Sequence, residues 1–163
     1  MHIPVHLAKG NREGNRNMSP ADQKFKSITI LLVDDDDVDA MGVERALNKL
    51  KILNTMVRAR DGLEGLAMLR DPERVPKPCL VLLDINMPRM NGLEMLAELR
   101  RDPDLTTTVV FALTTSKGDE DLVAAYRQHV AGYIVKNHVE GGFLKVIEML
   151  DHYWRVVELP LSP

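Results

Sequence analysis

Short apolar runs rich in Leu, Val and Ile alternate along the chain with longer segments whose apolar residues recur at helical spacing. The continuous runs are typical of strands that are covered on both faces of a parallel sheet. The longer segments have the period of amphipathic helices. The predicted strands are residues 28–33, 55–59, 79–83, 108–113 and 132–135. The predicted helices are residues 38–51, 63–70, 92–101, 119–129 and 140–157.

The regular alternation of strand and helix predicts an α/β fold: a parallel sheet with helices on both faces, joined by right-handed crossovers. A length of 163 residues suits one such domain with a single core. Residues 1–27 are polar and lack a sustained period, so we expect a flexible tail there. The folded domain is expected to span 28–158, and 159–163 to form a short C-terminal tail.

The net charge of −3 is unevenly spread. The first 27 residues carry a positive balance of three, and the rest of the chain is correspondingly acidic. Five aspartates stand within six positions: Asp34, Asp35, Asp36, Asp37 and Asp39. The chain lacks the strongly basic character of nucleic-acid binding proteins, so we expect no nucleic-acid partner.

Cysteine usage and hydropathy indicate where the protein works. Cys79 is the only cysteine and has no intrachain partner, which is typical of a reducing compartment. No apolar run approaches the ~20 residues of a membrane span, and the N-terminus lacks the apolar segment of a signal peptide. We therefore expect a cytoplasmic protein that does not bind membranes.

Polar residues follow the predicted strands at the point where each ends. Asp34 and Asp35 follow the first strand, Asp84 the third, the segment 114–116 the fourth and Lys136 the fifth. Chemistry in open α/β sheets collects beyond these carboxyl ends. Neighbouring carboxylates repel one another unless a cation lies between them. A few oxygen ligands with water in the other positions suit Mg²⁺ better than Ca²⁺.

The same edge also carries groups that suit a phosphoryl ligand. A hydroxyl from the segment 114–116 and the ammonium of Lys136 are expected to hold phosphoryl oxygens. An aspartate such as Asp84 can itself be the nucleophile towards phosphorus. The residues therefore predict a Mg²⁺-dependent phosphoryl site with a carboxylate acceptor.

Four segments carry a more specific signal, because they stand in order at successive strand ends. They are LLVDDDD at 31–37, LVLLDINMPRMNG at 80–92, ALTTS at 112–116 and GYIVK at 132–136. Together they resemble the CheY-like receiver domain of two-component response regulators, over residues 28–154. The resemblance implies a flavodoxin-like, doubly wound sheet with strand order 2-1-3-4-5. The form LTTS and the lack of an output domain are similar to single-domain regulators that pair with phytochrome-type sensor kinases.

The resemblance also implies a role for each site residue. Asp84 accepts a phosphoryl group from a histidine of a sensor histidine kinase or phosphotransfer protein. Asp34, Asp35, Asp84 and the backbone carbonyl of Asn86 ligate Mg²⁺, with Mn²⁺ as a possible substitute. Thr114 and Lys136 contact the phosphoryl oxygens.

Further residues are implied to act in signalling. Tyr133 turns inward as Thr114 moves towards the phosphoryl group, so the fourth helix, fifth strand and fifth helix present a changed face to a downstream protein. Asn86 and Ser116 occupy positions that tune the lifetime of the phosphorylated state. Receiver domains usually have Lys-Pro after the fifth strand, whereas Lys136 is followed here by Asn137. The residue after Lys136 therefore departs from the pattern of the family at the turn that directs the lysine side chain.

Other interpretations use the same residues. Asp36, Asp37 and Asp39 are expected to be structural, with Asp36 or Asp37 capping the first helix. An enzyme, a small Mg²⁺-dependent phosphatase or phosphotransferase, would need the same acidic site. A pseudo-receiver would be an interaction module that never takes phosphate.

The last predicted helix suggests a contact surface. Its apolar stripe reaches Trp154, near or beyond the expected end of the sheet. An exposed aromatic end would favour a homodimer through the C-terminal helix.

Overall fold

The computed structural model describes residues 27–115, 118–136 and 142–161. Within them the chain alternates strands and helices as the sequence predicts. The strands are β1 Thr29–Val33, β2 Thr55–Ala59, β3 Cys79–Asp84, β4 Val109–Thr114 and β5 Gly132–Val135. The helices are α1 Asp37–Lys49, α2 Gly62–Leu69, α3 Gly92–Arg101, α4 Asp119–Arg127 and α5 Phe143–Val156.

All five strands are parallel and lie in the order β2-β1-β3-β4-β5, which confirms the predicted flavodoxin-like sheet. β1 and β3 are buried along their whole length, as their continuous apolar sequences require. Val33 pairs with Leu83, so the residues after β1 and β3 emerge side by side. The register therefore brings the acidic segment after β1 next to Asp84.

Each face of the sheet has its own apolar core. Leu31 and Val33 point to one face, where α2, α3 and α4 pack. Ile30 and Leu32 point to the other face, where α1 and α5 pack. The alternation of side chains along one strand thus supplies both cores.

The junction between β3 and α3 is unusually close. A Cβ at Gly92 would lie 2.5 Å from the carbonyl oxygen of Asp84 and 2.7 Å from the Cα of Ile85. Asn91 caps α3 in a capping box with Glu94. Glycine at this position lets the helix begin directly against the backbone that presents Asp84.

The structure corrects the expectation for Trp154 and shows which residues of α1 are buried. Trp154 is not an exposed aromatic end, because it is 1% exposed and packs in the core beneath α1 and α5. Met41 is 48% exposed, and the buried stripe of α1 is instead Ala40, Val43, Ala46 and Leu47. In both helices the direction of the axis relative to the sheet decides which apolar residues are buried.

Some predictions fall outside the described residues. The expected tail at 1–26, the lifetime position Ser116 and the peptide bond between Lys136 and Asn137 are among them. No helix in the described part of the chain is both long and apolar enough to cross a bilayer.

Candidate functional site

The carboxyl ends of β1, β3, β4 and β5 meet around one cleft of about 620 Å³. They bring together residues that are far apart in sequence, including Asp34, Asp84, Thr114 and Lys136. The cleft is lined by Asp35, Asp36, Asp39, Asp84, Asn86, Thr115, Lys136 and Phe143. The sequence-predicted residues that the structure describes therefore converge at one end of the sheet.

Three carboxylates form the acidic centre of the cleft. Asp34, Asp35 and Asp84 each place one oxygen so that all three oxygens lie within 4.8 Å of one another. Asp34 and Asp84 are buried, and Asp35 is exposed. The Asp36 amide donates to Asp34 Oδ1 at 2.9 Å, and the Asn86 amide donates to Asp84 Oδ1 at 3.0 Å. An oxygen-only donor set that opens to solvent on one side fits a hard divalent cation.

Lys136 is the cation that this structure places among the carboxylates. Its Nζ lies 3.1 Å from Asp34 Oδ2, 3.4 Å from Asp84 Oδ2 and 2.5 Å from Asp39 Oδ2. Sequence reasoning treated Asp39 as structural and missed this contact. Its position in the first turn of α1, close in sequence to Asp34 and Asp35, was the available signal.

The pKa values of these groups follow from burial and mutual charge. Burial raises the pKa of Asp34 to about 7, against the opposing effects of the Asp36 amide and Lys136. Burial also raises the pKa of Asp84, again opposed by Lys136. Burial alone would lower the pKa of Lys136, but its hydrogen bond with Asp39 and the charges of Asp34 and Asp84 raise it. The single positive charge of Lys136 therefore does not neutralise all the carboxylates around it when they are ionised.

Polar side chains from β4 and β5 lie on the other side of Asp84. Asn86 Nδ2 donates to Thr114 Oγ1 at 3.2 Å. Tyr133 is partly buried against the α2–α4 core, and its hydroxyl is hydrogen-bonded with Thr114. Burial raises the pKa of Tyr133, an effect that this hydrogen bond opposes. Thr114 thus links Asn86, on the loop after Asp84, to Tyr133 on β5.

The remaining acids of the cluster have structural partners. Asp36 caps α1, accepting from the amides of Val38 at 2.8 Å and Asp39 at 3.3 Å. Asp37 pairs with Arg58 at 2.7 Å and Arg60 at 3.1 Å. The predicted capping role is confirmed for Asp36. The two arginines were missed, although both stand at the carboxyl end of β2.

The fold and the acidic cleft define a receiver-type α/β domain, and comparison with known proteins agrees. Residues 30–148 match the response regulator receiver domain family, and the chain belongs to that family. It is 35% identical over 146 residues to the response regulator Rcp1 of Synechocystis, covering 87% of this chain and 99% of that protein. The chain is therefore a response regulator of two-component signalling.

Solved structures give the same result. The crystal structure of the Mn²⁺-bound form of Rcp1 superposes with a TM-score of 0.71 at 36% identity, covering 82% of this chain and 99% of that one. The phosphorylated cyanobacterial phytochrome response regulator RcpA superposes with a TM-score of 0.72 at 32% identity, covering 83% and 99%. The resemblance stated from the four sequence segments is thus confirmed.

Proposed function

We propose that Asp84 is the phosphoryl acceptor of this response regulator. A carboxylate oxygen of Asp84 attacks the phosphorus of a phosphohistidine on a partner protein. A new O–P bond forms as the P–N bond breaks, and the histidine nitrogen leaves with the bonding electrons. The product is an aspartyl phosphate. The observation that carries the proposal is the convergence of three carboxylates and Lys136 on Asp84 at the end of β3.

We propose Mg²⁺ as the physiological cation, with Mn²⁺ as a substitute. Asp34, Asp35 and Asp84 would hold it with the backbone carbonyl of Asn86. When bound, the cation would neutralise charge that develops on the transferring phosphoryl group. Lys136 supplies a second positive charge, with its Nζ 3.4 Å from Asp84 Oδ2. The Thr114 hydroxyl is positioned to donate to a phosphoryl oxygen once its present contacts rearrange.

Thr114 and Tyr133 are proposed to convert the phosphorylation of Asp84 into a conformational signal. If Thr114 turns towards the phosphoryl group, its contacts with Asn86 and Tyr133 must change. Tyr133 lies on β5, beside α4 and α5, so a movement there alters the face formed by α4, β5 and α5. Asn86 is also proposed to tune the lifetime of the phosphorylated state. Ser116 has the same proposed role, but it lies outside the described residues.

The proposed partners follow from this role. Receiver domains interact with histidine kinases or phosphotransfer proteins, and a sensor histidine kinase is the proposed phosphodonor. A phytochrome-type kinase is supported by the likeness to Rcp1 and RcpA. The readout is proposed to reach a downstream protein in the cytoplasm. Homodimerisation through α5 stays a prediction, and the burial of Trp154 removes the exposed aromatic side chain on which it rested.

Phosphorylation by acetyl phosphate tests the assignment of Asp84. With Mg²⁺ present, intact-protein mass spectrometry should show a gain of one phosphoryl group that is lost on treatment with base. Asp84→Asn should abolish the gain, whereas Asp71→Asn, a change to an aspartate between α2 and β3, should not. A gain that survives Asp84→Asn would refute the assignment.

The same experiment separates the two alternative functions. Sustained turnover of small phosphate esters would indicate a phosphatase or phosphotransferase. Mg²⁺ binding without any phosphorylation, by acetyl phosphate or by a cognate kinase, would indicate a pseudo-receiver.

A further inference from the structure

Arg58 contacts the acidic segment from β2, whereas Lys136, which contacts the same segment, follows β5. It stands near the carboxyl end of the edge strand β2, and its side chain is 20% exposed. Its Nε donates to the backbone carbonyl of Asp34 at 3.1 Å, and its Nη1 donates to Asp37 Oδ1 at 2.7 Å. One guanidinium thus spans the segment from the first metal-site aspartate to the start of α1.

The carbonyl that Arg58 contacts belongs to the peptide unit joining Asp34 to Asp35. The backbone N–H of Asp34 itself donates to the Ala59 carbonyl at 3.0 Å. Both backbone groups of Asp34 are therefore tied to neighbouring residues of β2. The direction in which Asp35 leaves the strand depends on the orientation of this peptide unit, because Asp35 itself is exposed rather than packed.

The guanidinium is held at some energetic disadvantage. Its Nη2 is buried and has no hydrogen-bond partner among the described residues. Burial of an unsatisfied donor costs free energy. The two hydrogen bonds described above both go to the acidic segment. Any gain that offsets the cost of the unsatisfied Nη2 is therefore expected in that segment.

We propose that Arg58 is a positioning residue for the metal site, holding the Asp34–Asp35 peptide so that both carboxylates face the cleft. The role rests on the proposed function of that cleft as a Mg²⁺ site. A positioning role and a purely electrostatic role of Arg58 predict opposite changes in Mg²⁺ affinity. A positive charge beside a cation site repels the cation, so loss of the charge alone would tighten Mg²⁺ binding. Loss of the positioning contacts would weaken it.

Arg60 provides a matched control. It carries the same charge and contacts the same Asp37 carboxylate, with Nη1 at 3.1 Å. Its side chain is exposed, and among the described residues it forms its ion pair with Asp37. Arg60→Gln therefore removes a comparable charge without removing the bond to the Asp34 carbonyl.

Isothermal titration with Mg²⁺ separates these possibilities. Arg58→Gln should weaken Mg²⁺ binding by about tenfold, the effect typical of losing a residue that orients a metal ligand. Arg60→Gln should leave the affinity unchanged or slightly tighter. Arg58→Lys keeps the charge but lacks the two-pronged geometry, so it should also bind Mg²⁺ more weakly than the wild type. Unchanged or tighter binding by Arg58→Gln, or wild-type affinity in Arg58→Lys, would overturn the role.

A second measurement uses the metal-free protein. The Asp36 amide donates to Asp34 Oδ1, so its hydrogen exchange reports whether the segment keeps its conformation. Exchange at Asp36 should be faster in Arg58→Gln than in the wild type or Arg60→Gln. Equal rates in all three proteins would refute the positioning role. A wild-type protein that binds no Mg²⁺ would overturn the proposed cleft as well, whereas normal wild-type binding with unaffected Arg58 variants overturns only the role of Arg58.

Discussion

At the scale of single residues, Lys136 partly neutralises the acidic cleft when no metal is bound. Its ammonium lies within 3.4 Å of carboxylate oxygens from Asp34, Asp39 and Asp84, and its side chain is only 10% exposed. One partly buried cation thus faces three acids. A divalent cation that enters the cleft would share this task, which links metal binding to the folding stability of the domain.

Removal of the ammonium should therefore matter most without metal. We expect Lys136→Gln to lower the free energy of unfolding by about 3 kcal/mol in metal-free buffer, because it leaves buried carboxylates uncompensated. Mg²⁺ should recover much of the loss. Urea denaturation with and without Mg²⁺ measures both values. Lys49→Gln, an equal charge change at the exposed end of α1, should have little effect. Equal destabilisation by Lys136→Gln in the presence and absence of Mg²⁺ would contradict this account.

The raised pKa of Asp34 predicts a pH dependence of metal binding. Because this pKa rises from 3.8 to about 7 on folding, the folded protein holds the proton more tightly than the unfolded chain between these values. The contribution of Asp34 to metal-free stability therefore falls as the pH rises towards 7. Mg²⁺ must displace that proton, so its affinity should drop by up to about tenfold per pH unit below pH 7. Above pH 7 the affinity should level off.

Titration calorimetry across this pH range provides the measurement. Below pH 7, the heat should also vary between buffers of different ionisation enthalpy, because protons are released on binding. In Asp34→Asn both effects should shrink, with the raised pKa of Asp84 accounting for what remains. A wild-type affinity that does not change with pH would refute the prediction.

Sequence reasoning predicted that most residues of the candidate site would meet at one edge of the sheet, and topology explains why they do. Asp34, Asp84 and Lys136 each end a strand, and parallel strands bring their carboxyl ends to one edge. Asp39 and Arg58 were not predicted as partners of these residues. The contact of Asp39 depends on how α1 is rotated about its axis, and that of Arg58 depends on β2 lying directly beside β1. Neither is encoded in a local pattern.

At the scale of elements, the start of α3 lies in close contact with the end of β3, which carries Asp84. We expect Gly92→Ala to lower the free energy of unfolding by about 3 kcal/mol, because the added methyl group would overlap backbone atoms of Asp84 and Ile85. These atoms cannot move without moving Asp84, the proposed phosphoryl acceptor. The variant should also accept phosphate from acetyl phosphate more slowly than the wild type.

Gly42→Ala is the control for this substitution. Its added Cβ would lie 2.8 Å from a ring carbon of Phe143, a side chain that can rotate. Replacement of glycine by alanine inside α1 also gains up to about 1 kcal/mol of helix propensity, which offsets part of the clash. Urea denaturation of both variants tests the comparison. Equal stabilities would show that the β3–α3 junction is more adaptable than its geometry implies.

The order of elements was easier to predict than the faces they bury. The strand runs are buried on both sides, so no choice of face was needed for β1 or β3. For α1 and α5 the apolar residues exceed those that reach the sheet, and sequence alone did not separate Met41 from Val43 or show that Trp154 is buried. Those assignments depend on the packing of α1 against α5, which Gly42 makes close.

At the scale of the whole molecule, one sheet carries two cores and the acidic cleft. Alternate residues of the same strands enter opposite cores, so we expect the two cores to unfold together with the sheet. Trp154, the only tryptophan, is buried in the core formed by α1 and α5. Its fluorescence should therefore report the unfolding of the entire domain, together with far-UV circular dichroism, in one cooperative transition.

Mg²⁺ should raise the free energy of unfolding for the whole of that single transition. At a free Mg²⁺ concentration of about one hundred times its Kd, the free energy of unfolding should rise by about 2.7 kcal/mol in both signals. Trp154 lies in the core of the sheet rather than among the cleft residues, so an equal shift requires that the cleft, the sheet and both cores unfold together. Asp35→Asn should abolish the shift while leaving metal-free unfolding nearly unchanged, because Asp35 is exposed. A Mg²⁺ effect on only one of the two signals would show instead that the cleft and the core unfold separately.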